Sequence, residues 1–280
     1  MQMKKKIPGV AFVLAAAFVF SFAGVFGKWM PWSPLTMVGA RGLIAAVFLG
    51  LWRKSAKVKL TKGVALGAFG VCATSLLFLY SNKLTTAANA IVLQYAMPVV
   101  VMFLSAVIYR QKPTRRDLLT AACVIVGIIL CFLDNLGGGL MLGNILAIIS
   151  AFAYALVFFS SKLPGVQSSD YIYLGNLVSA IFALNIFRDP LVAENGAAPF
   201  FVIIAMGALL ALGYALLSKG MENVDPVPAA IVSNVEPVLN PIWVFLAMGE
   251  KPGWTAIVGA VIVLGAVTIY SIGNTRQMRQ

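Results

Sequence analysis

The sequence is dominated by long apolar stretches that are separated by short polar connections. At a rise of 1.5 Å per residue, a helix of about 20 apolar residues crosses a hydrocarbon core of about 30 Å. Ten stretches of this kind can be marked, at residues 7–27, 34–52, 63–82, 86–109, 117–134, 140–160, 170–187, 199–218, 226–248 and 254–273. Lipid offers the backbone no hydrogen-bond partners, and the stretches lack the alternation of barrel strands. Each is therefore predicted to be a transmembrane helix.

The composition predicts an all-α integral membrane protein. Hydrophobic residues make up 61% of the chain and charged residues only 11%, far from the balance of soluble globular domains. The predicted connections are mostly shorter than about a dozen residues, so no soluble catalytic or nucleotide-binding domain fits into a loop. Function is therefore expected to reside in the membrane-spanning part.

An internal repeat runs through the predicted spans. The following pairs lie 139 residues apart: Lys112-Pro113 and Lys251-Pro252, Pro98 and Pro237, Ala90 and Ala229. The glycine-rich stretch 134–143 separates a first repeat, residues 1–138, from a second repeat, residues 139–280. Each repeat holds five predicted spans, an odd number, so the two are expected to lie in opposite orientations. Inverted repeats are typical of secondary transporters.

The formal net charge of +12 follows from topology rather than from a nucleic-acid partner. Alternate connections carry sixteen Lys and Arg on one side and four on the other, and Arg41 lies within a span. By the positive-inside rule the richer side is cytoplasmic, so both termini are predicted to face the cytoplasm. This pattern fits a multi-pass protein of the cytoplasmic (inner) cell membrane, and no nucleic-acid partner is expected.

Two prolines mark candidate helix kinks. Pro98 and Pro237 fall near the middle of the fourth and ninth predicted spans. Each removes a backbone hydrogen bond and frees the carbonyl four residues earlier, that of Gln94 or Ser233. Equivalent kinks in inverted repeats would meet near the midplane, where such transporters assemble their substrate sites. The alternative, that both prolines only shape helix packing, stays open at this stage.

Two charged residues lie deep within predicted spans, Arg41 in the second and Glu236 in the ninth. A charge in hydrocarbon is costly, so both should face protein or a water-filled cavity. Counted along the helices, Arg41 lies about 10 Å below the outer surface and Glu236 about 15 Å above the inner one, within about 5 Å of each other in depth. A structural ion pair and a role of Glu236 in binding a cation or proton both fit this pattern.

Further polar residues surround these charges, and some are expected to line a cavity. They are Tyr80, Asn89, Gln94, Tyr95, Asn144, Tyr154, Asn176, Ser233, Asn234 and Asn240. In the repeat alignment Gln94 corresponds to Ser233 and Tyr95 to Asn234, so each predicted kink carries polar groups just before its proline. Singly, such residues form interhelical hydrogen bonds more often than ligand contacts. Together, these four are the best candidates for solute binding.

Several functional motifs are absent from the sequence. It contains no phosphate-binding loop of the G-x-x-x-x-G-K type, which argues against nucleotide hydrolysis. It has no His, and its three Cys are not spaced as ligands, so no metal or other cofactor is expected. Transport would then be facilitative or driven by a gradient.

Taken together, these features resemble the EamA-type family of the drug/metabolite transporter (DMT) superfamily. The resemblance is carried by residues 37–49 with Arg41, residues 84–98, and residues 229–250, which contain Glu236-Pro237 and end in Met248-Gly249-Glu250. It implies ten helices in two inverted repeats, and import or export of amino acids, metabolites or drugs in bacterial inner membranes.

The first repeat departs from the family pattern. Met97 precedes Pro98 where the second repeat has Glu236, and Gln111 stands where the family commonly has a terminal Glu. A mechanism based on charge would therefore rest on the second repeat alone.

The favoured hypothesis is a secondary transporter of small polar organic solutes, working by alternating access around a midplane cavity between the repeats. Amino acids and related metabolites are favoured, since Glu236 can hold an ammonium and Arg41 a carboxylate. The expected partners are the solute and the lipid bilayer, with protons as a candidate coupling ion and a homodimer left open. The alternative is an integral-membrane enzyme or lipid-handling protein. Its acidic pair would be Glu222 and Asp225, which flank a turn and suit a solvated loop.

Overall fold

The described part of the chain is helical in every regular element. The computed structural model describes residues 9–108, 110, 112–133, 141–249, 254–255, 257–259, 261–262, 265–266 and 269–270. The helices are α1 Gly9–Phe20, α2 Ala23–Trp29, α3 Pro34–Arg53, α4 Lys62–Leu84, α5 Ala87–Gln94, α6 Met97–Ile108, α7 Arg115–Leu133, α8 Met141–Ser160, α9 Ser168–Ser179, a 3₁₀ helix Ala180–Phe187, α10 Pro190–Glu194, α11 Ala198–Met221, α12 Pro226–Ser233 and α13 Glu236–Met248. The prediction of an all-α fold is confirmed.

Seven helical stretches are long and apolar enough to cross a membrane. They are Gly9–Trp29, Pro34–Arg53, Lys62–Leu84, Met141–Ser160, Ser168–Phe187, Ala198–Met221 and Pro226–Ala247. Large apolar side chains such as Phe69, Phe103 and Phe201 are exposed on the outside of the bundle, as a surface in contact with lipid requires. The chain is a multi-pass membrane protein.

The remaining three predicted spans differ from these seven. The fourth, residues 86–109, is divided between α5 and α6, and the apolar α6 alone is too short to cross. The fifth, residues 117–134, corresponds to α7. Much of the tenth, residues 254–273, lies outside the described residues, although its described positions are helical.

Each of the two mid-span prolines follows a short break, two residues long, in the α-helical hydrogen-bond pattern. α5 ends at Gln94 and α6 begins at Met97, while α12 ends at Ser233 and α13 begins at Glu236. Within the breaks, the backbone N–H groups of Ala96 and Val235 donate to carbonyls three residues back, at 3.3 and 3.4 Å. Each proline then occupies the second position of the following helix, where its missing N–H is not needed. The two breaks lie at equivalent positions of the two repeats, so the internal repeat is seen in the backbone as well as in the sequence.

Helices of the two repeats pack closely against each other. α1 packs against α11, and α3 packs along α9 and the 3₁₀ helix. The closest approach is at Gly39 of α3, where an added Cβ would lie only 1.9 Å from the backbone nitrogen of Ala183. Only glycine fits this contact, as is common where membrane helices touch.

Two lysines cap each other's helices at the end of the bundle that the charge count assigns to the outside. Lys28, in the last turn of α2, donates at 2.6 Å to the carbonyl of Thr85, the C-cap residue of α4. Lys83, in the last turn of α4, donates at 2.5 Å to the carbonyl of Met30, the C-cap residue of α2. A cation at a helix C-terminus is favourable. These contacts account for two basic residues on the side that is otherwise poor in them.

Asp189 joins the two repeats at the same end. One of its carboxylate oxygens accepts hydrogen bonds from the hydroxyls of Ser33 and Thr36, both at 2.6 Å, and from the Ser33 backbone N–H at 3.0 Å. The other oxygen accepts the Leu191 N–H at 3.2 Å. Burial acts to raise the pKa of Asp189, but these hydrogen bonds outweigh it and hold the pKa below its ordinary value of 3.8.

We expect Asp189→Asn to lower the free energy of unfolding by about 1–3 kcal/mol, since it weakens hydrogen bonds to a charged acceptor. Because the folded-state pKa is the lower one, the carboxylate stabilises the fold above about pH 4 and loses this effect as the pH falls through the folded-state pKa. Thermal unfolding in detergent between pH 3 and pH 7 would measure both effects. Glu194→Gln, at an exposed residue nearby, is the matched control. Equal unfolding temperatures for the two variants would contradict the prediction.

Candidate functional site

A cavity of about 50 Å³ lies deep in the bundle. Its wall includes four residues predicted from the sequence, namely Arg41, Gln94, Tyr154 and Glu236. These side chains come from α3, the end of α5, α8 and the start of α13, so both repeats contribute. The volume is enough for one or more water molecules but small beside the 300 Å³ or more of typical ligand sites. A solute could enter only if the helices moved apart.

Glu236 is bound across the repeat boundary. Its carboxylate accepts a hydrogen bond from the hydroxyl of Tyr95, and both side chains are buried. Tyr95 lies in the break between α5 and α6, and Glu236 is the first residue after the break between α12 and α13. Its place in the first turn of α13 puts the carboxylate at a helix N-terminus, where negative charge is favourable. The two helix breaks therefore meet through one hydrogen bond.

Tyr154 and Gln94 complete this side of the cavity. The Tyr154 ring lies edge-on to that of Tyr95, with centroids 6.0 Å apart, a favourable arrangement for aromatic pairs. The Gln94 amide donates to the hydroxyl of Ser150 at 2.9 Å, which ties the end of α5 to α8. The break before Pro98 is thus held in place by side chains from the second repeat.

Arg41 is buried and forms no ion pair within the described residues. The ion pairs there join Arg53 to Asp170 and Lys162 to Asp225. Nη2 of Arg41 donates to the hydroxyl of Ser75 at 2.7 Å, while Nε has no partner in the described chain. Arg41 and Glu236 therefore line one cavity without forming the direct pair that the depth estimate allowed.

Several residues of the cavity wall carry no distinguishing signal in the sequence. Thr74 and Ser75 of α4 and Tyr214 of α11 contribute polar groups, and Phe20, Phe78 and Leu210 contribute apolar ones. The hydroxyl of Thr74 is buried and has no partner among the described residues. Ser, Thr and Tyr are common in membrane helices. Only the position of Thr74, Ser75 and Tyr214 on the same cavity wall as Arg41 distinguishes them from other such residues.

Several predicted site residues bond to their own helix instead. The Ser233 hydroxyl donates to the Ala229 carbonyl at 2.9 Å, and the Asn234 amide donates to the Ala230 carbonyl at 3.0 Å. Asn176 likewise donates to the carbonyl four residues back, that of Ile172, at 2.9 Å. The cavity wall includes none of these three side chains, and the partly buried Tyr80 also lies outside it.

Asn240 has a different place, at a third helix break. Its amide donates at 2.7 Å to the carbonyl of Ser21, which lies between α1 and α2. The Trp243 indole donates to the Ser21 hydroxyl at 2.8 Å and stacks on Phe22 at 4.7 Å. These contacts join the first span of the first repeat to α13.

Pro98 and Pro237 lie one residue inside α6 and α13 and act on the backbone.

A larger cavity of about 380 Å³ lies at one end of the bundle, between α6, the start of α7 and the start of α12. Its two carboxylates already have partners. Asp117 accepts from the hydroxyls of Tyr270 at 2.5 Å and Thr114 at 2.8 Å, and Asp225 pairs with Lys162 at 3.5 Å. The cavity of about 50 Å³ is instead lined by the buried charged residues Arg41 and Glu236. It is therefore the candidate solute site, although it is the smaller of the two.

Comparisons with known proteins agree with the fold and the repeat. The sequence pattern of the EamA-like transporter family matches residues 7–133 and, a second time, residues 141–272. A solved structure titled "Crystal structure of protein" is similar, with a TM-score of 0.75 and 14% sequence identity over 94% of this chain and 98% of that one. No curated protein matches the sequence. Since the two family matches cover most of the chain, this membrane protein belongs to the EamA-like transporter family of the DMT superfamily.

Proposed function

We propose that the protein is a secondary transporter of small polar organic solutes, working by alternating access around the buried cavity. The observation that carries the proposal is the wall of this cavity, to which both Arg41 from the first repeat and Glu236 from the second contribute. Charged groups within membrane helices are costly and mark solute or ion pathways. The membership of a transporter family supports the same conclusion.

The proposed topology has ten spans with both termini in the cytoplasm, and the repeats 1–138 and 139–280 in opposite orientations. The unequal distribution of Lys and Arg supports this orientation. The protein would reside in the cytoplasmic membrane, with solute and lipid as its partners, protons as the candidate coupling ion and no cofactor. A homodimer is not required, because the two repeats of one chain together supply the wall of the cavity.

The proposed conformational change separates helices around the cavity. A cavity of about 50 Å³ has to open before an organic solute can bind. At the breaks before Pro98 and Pro237, hydrogen bonds to carbonyls three residues back replace the α-helical ones. Such bonds have poorer geometry, so α5–α6 and α12–α13 would bend there at lower cost than within a regular α-helix. The 380 Å³ cavity beside α6 and α12 would be the cytoplasmic mouth of the pathway.

Amino acids and related amines or acids are the proposed solutes. The carboxylate of Glu236 suits an ammonium group, and the amide of Gln94 and the hydroxyl of Tyr154 add neutral polar groups to the same wall. This class of solutes is broad because one transporter fold can serve many different solutes.

We expect purified protein in liposomes to take up at least one labelled amino acid, amine or carboxylic acid saturably, and Leu210→Trp to reduce that flux more than about tenfold. Leu210 lines the cavity, so an indole there would occupy the space into which the solute must fit. Leu212→Trp, on the lipid-exposed side of the same helix (49% exposed), is the matched control and should transport normally. Flux that survives Leu210→Trp would place the pathway elsewhere, and no saturable flux for any solute would contradict transport.

A further inference from the structure

The two buried charged residues of the cavity wall, Arg41 and Glu236, differ in their polar partners. Arg41 is 4% exposed and has no carboxylate partner in the described chain. A buried charge without a counter-charge is strongly unfavourable, so such a group recruits water or an anion. Glu236, in contrast, already accepts a hydrogen bond from Tyr95. Each buried charge thus has one neutral hydroxyl partner, but within the described residues Arg41 also has a buried donor, Nε, that lacks a partner.

The donors around Arg41 match a carboxylate. A guanidinium offers five N–H donors in a planar fork that binds a carboxylate through two hydrogen bonds. Ser75 takes one of these donors at 2.7 Å, and Nε has no partner within the described residues. The neighbouring Thr74 is 7% exposed and carries a second hydroxyl without a partner there, on the same wall. Arg41 and Thr74 both line the cavity, and each has a buried donor without a partner in the described residues, so an acceptor bound in the cavity would stabilise this wall.

On the opposite wall, an ammonium group would compete with a protein side chain for the Glu236 carboxylate. To bind the Glu236 carboxylate it must displace or share the Tyr95 hydroxyl, which is already in place. A carboxylate that binds Arg41 displaces no protein carboxylate, because Arg41 forms no ion pair within the described residues. Water in the cavity can solvate Arg41 in the absence of solute, and a solute carboxylate would replace this water with a bidentate contact.

We propose that the transported solute carries a carboxylate, which binds Arg41 with the Thr74 hydroxyl as a second donor, and that amines without a carboxylate are not substrates. This inference rests on the proposed transport function and narrows its solute class. It also assigns Thr74, which the sequence did not single out, to the binding site.

The test compares compounds that share a side chain and differ only in their charged groups. Suitable sets are leucine, 3-methylbutylamine and 4-methylpentanoate; phenylalanine, phenethylamine and 3-phenylpropanoate; and serine, ethanolamine and 3-hydroxypropanoate. Sodium chloride and sodium phosphate supply inorganic anions. Binding is measured as thermal stabilisation of the purified full-length protein in detergent. Transport is measured separately, in liposomes, as saturable uptake of each labelled amino acid, amine and acid.

We expect the amino acid and the acid of at least one set to stabilise the protein and the amine of that set to have no effect. Arg41→Gln should weaken this response about 10- to 100-fold, the range for charge-assisted hydrogen bonds, and Thr74→Val about 2- to 10-fold, the range for a neutral one. Arg188→Gln, at an exposed residue, is the matched control and should respond like the wild type. Thr74→Val is nearly isosteric, so it keeps the test informative if Arg41→Gln does not fold.

An amine that binds as well as its amino acid would overturn the inference, and so would chloride or phosphate that matches the carboxylates. Failure of every carboxylate to stabilise the wild-type protein would overturn it as well. The outcomes separate the two proposals. Saturable flux of amines alone would leave the transport function standing without the carboxylate requirement. Stabilisation by carboxylates that depends on Arg41, without any flux, would leave the binding site standing without transport.

Discussion

Gly39→Ala is expected to destabilise the protein by about 3 kcal/mol, at the upper end of the cost of overpacking a core. A Cβ at this position would lie 1.9 Å from the backbone nitrogen of Ala183 and 2.1 Å from the carbonyl carbon of Phe182. These are backbone atoms, so no side-chain rotation can relieve the clash, and α3 must move away from the 3₁₀ helix. Thermal unfolding of the purified protein in detergent would measure the loss.

Gly50→Ala in the same helix is the matched control. Its added Cβ would meet only the Tyr173 side chain, with the nearest atom at 3.4 Å, which is ordinary contact. Both substitutions gain the same helix propensity, about 1 kcal/mol, so the difference between them isolates the close approach. If the two variants unfold at the same temperature, α3 does not pack against the 3₁₀ helix as the structure shows.

Glu236→Gln is expected to abolish proton-driven accumulation of solute while leaving exchange intact. If one proton accompanies each solute, a gradient of one pH unit supports about tenfold accumulation, because 1.4 kcal/mol corresponds to a factor of ten. Gln cannot exchange a proton, but its carbonyl can still accept the hydrogen bond from Tyr95. The variant should therefore fold and bind solute, yet equilibrate it to equal concentrations on both sides.

Accumulation is measured in liposomes with an imposed pH gradient and the membrane potential clamped to zero. Exchange is measured as counterflow without a gradient. Glu222→Gln, the same chemical change at an exposed residue beyond α11, should accumulate solute like the wild type. Unchanged accumulation by Glu236→Gln at every pH would remove this residue from the coupling mechanism, and wild-type protein that never responds to the gradient would indicate facilitated transport.

The charges of the cavity wall were predicted from the sequence, and so was an irregularity of the helix at each mid-span proline, although as a kink rather than a break. The hydrogen bonds of the cavity were not predicted. Arg41 and Glu236 were singled out because charge is costly in hydrocarbon, and both line the cavity. Their direct pairing is not observed in the structure. Ser233 and Asn234 sit at the predicted break, yet their side chains bond to carbonyls of their own helix. A hydroxyl or amide in a membrane helix always has such a carbonyl within reach, and sequence cannot show which partner it takes.

By itself, the sequence determined the membrane character, the approximate boundaries of seven spans, the internal repeat and the two proline positions beside which the helices are interrupted. All of these follow from local properties, namely the length of apolar stretches, matches at a fixed offset and the missing N–H of proline. The tertiary structure alone decided that Tyr95 meets Glu236, that Arg41 meets Ser75 and that Thr74 faces the same space. The direction of a side chain turns by about 100° with each residue of a helix. A helix that is apolar all round gives no periodic signal of which side faces its neighbours, so packing between the repeats, rather than sequence pattern, determines which polar groups share the cavity.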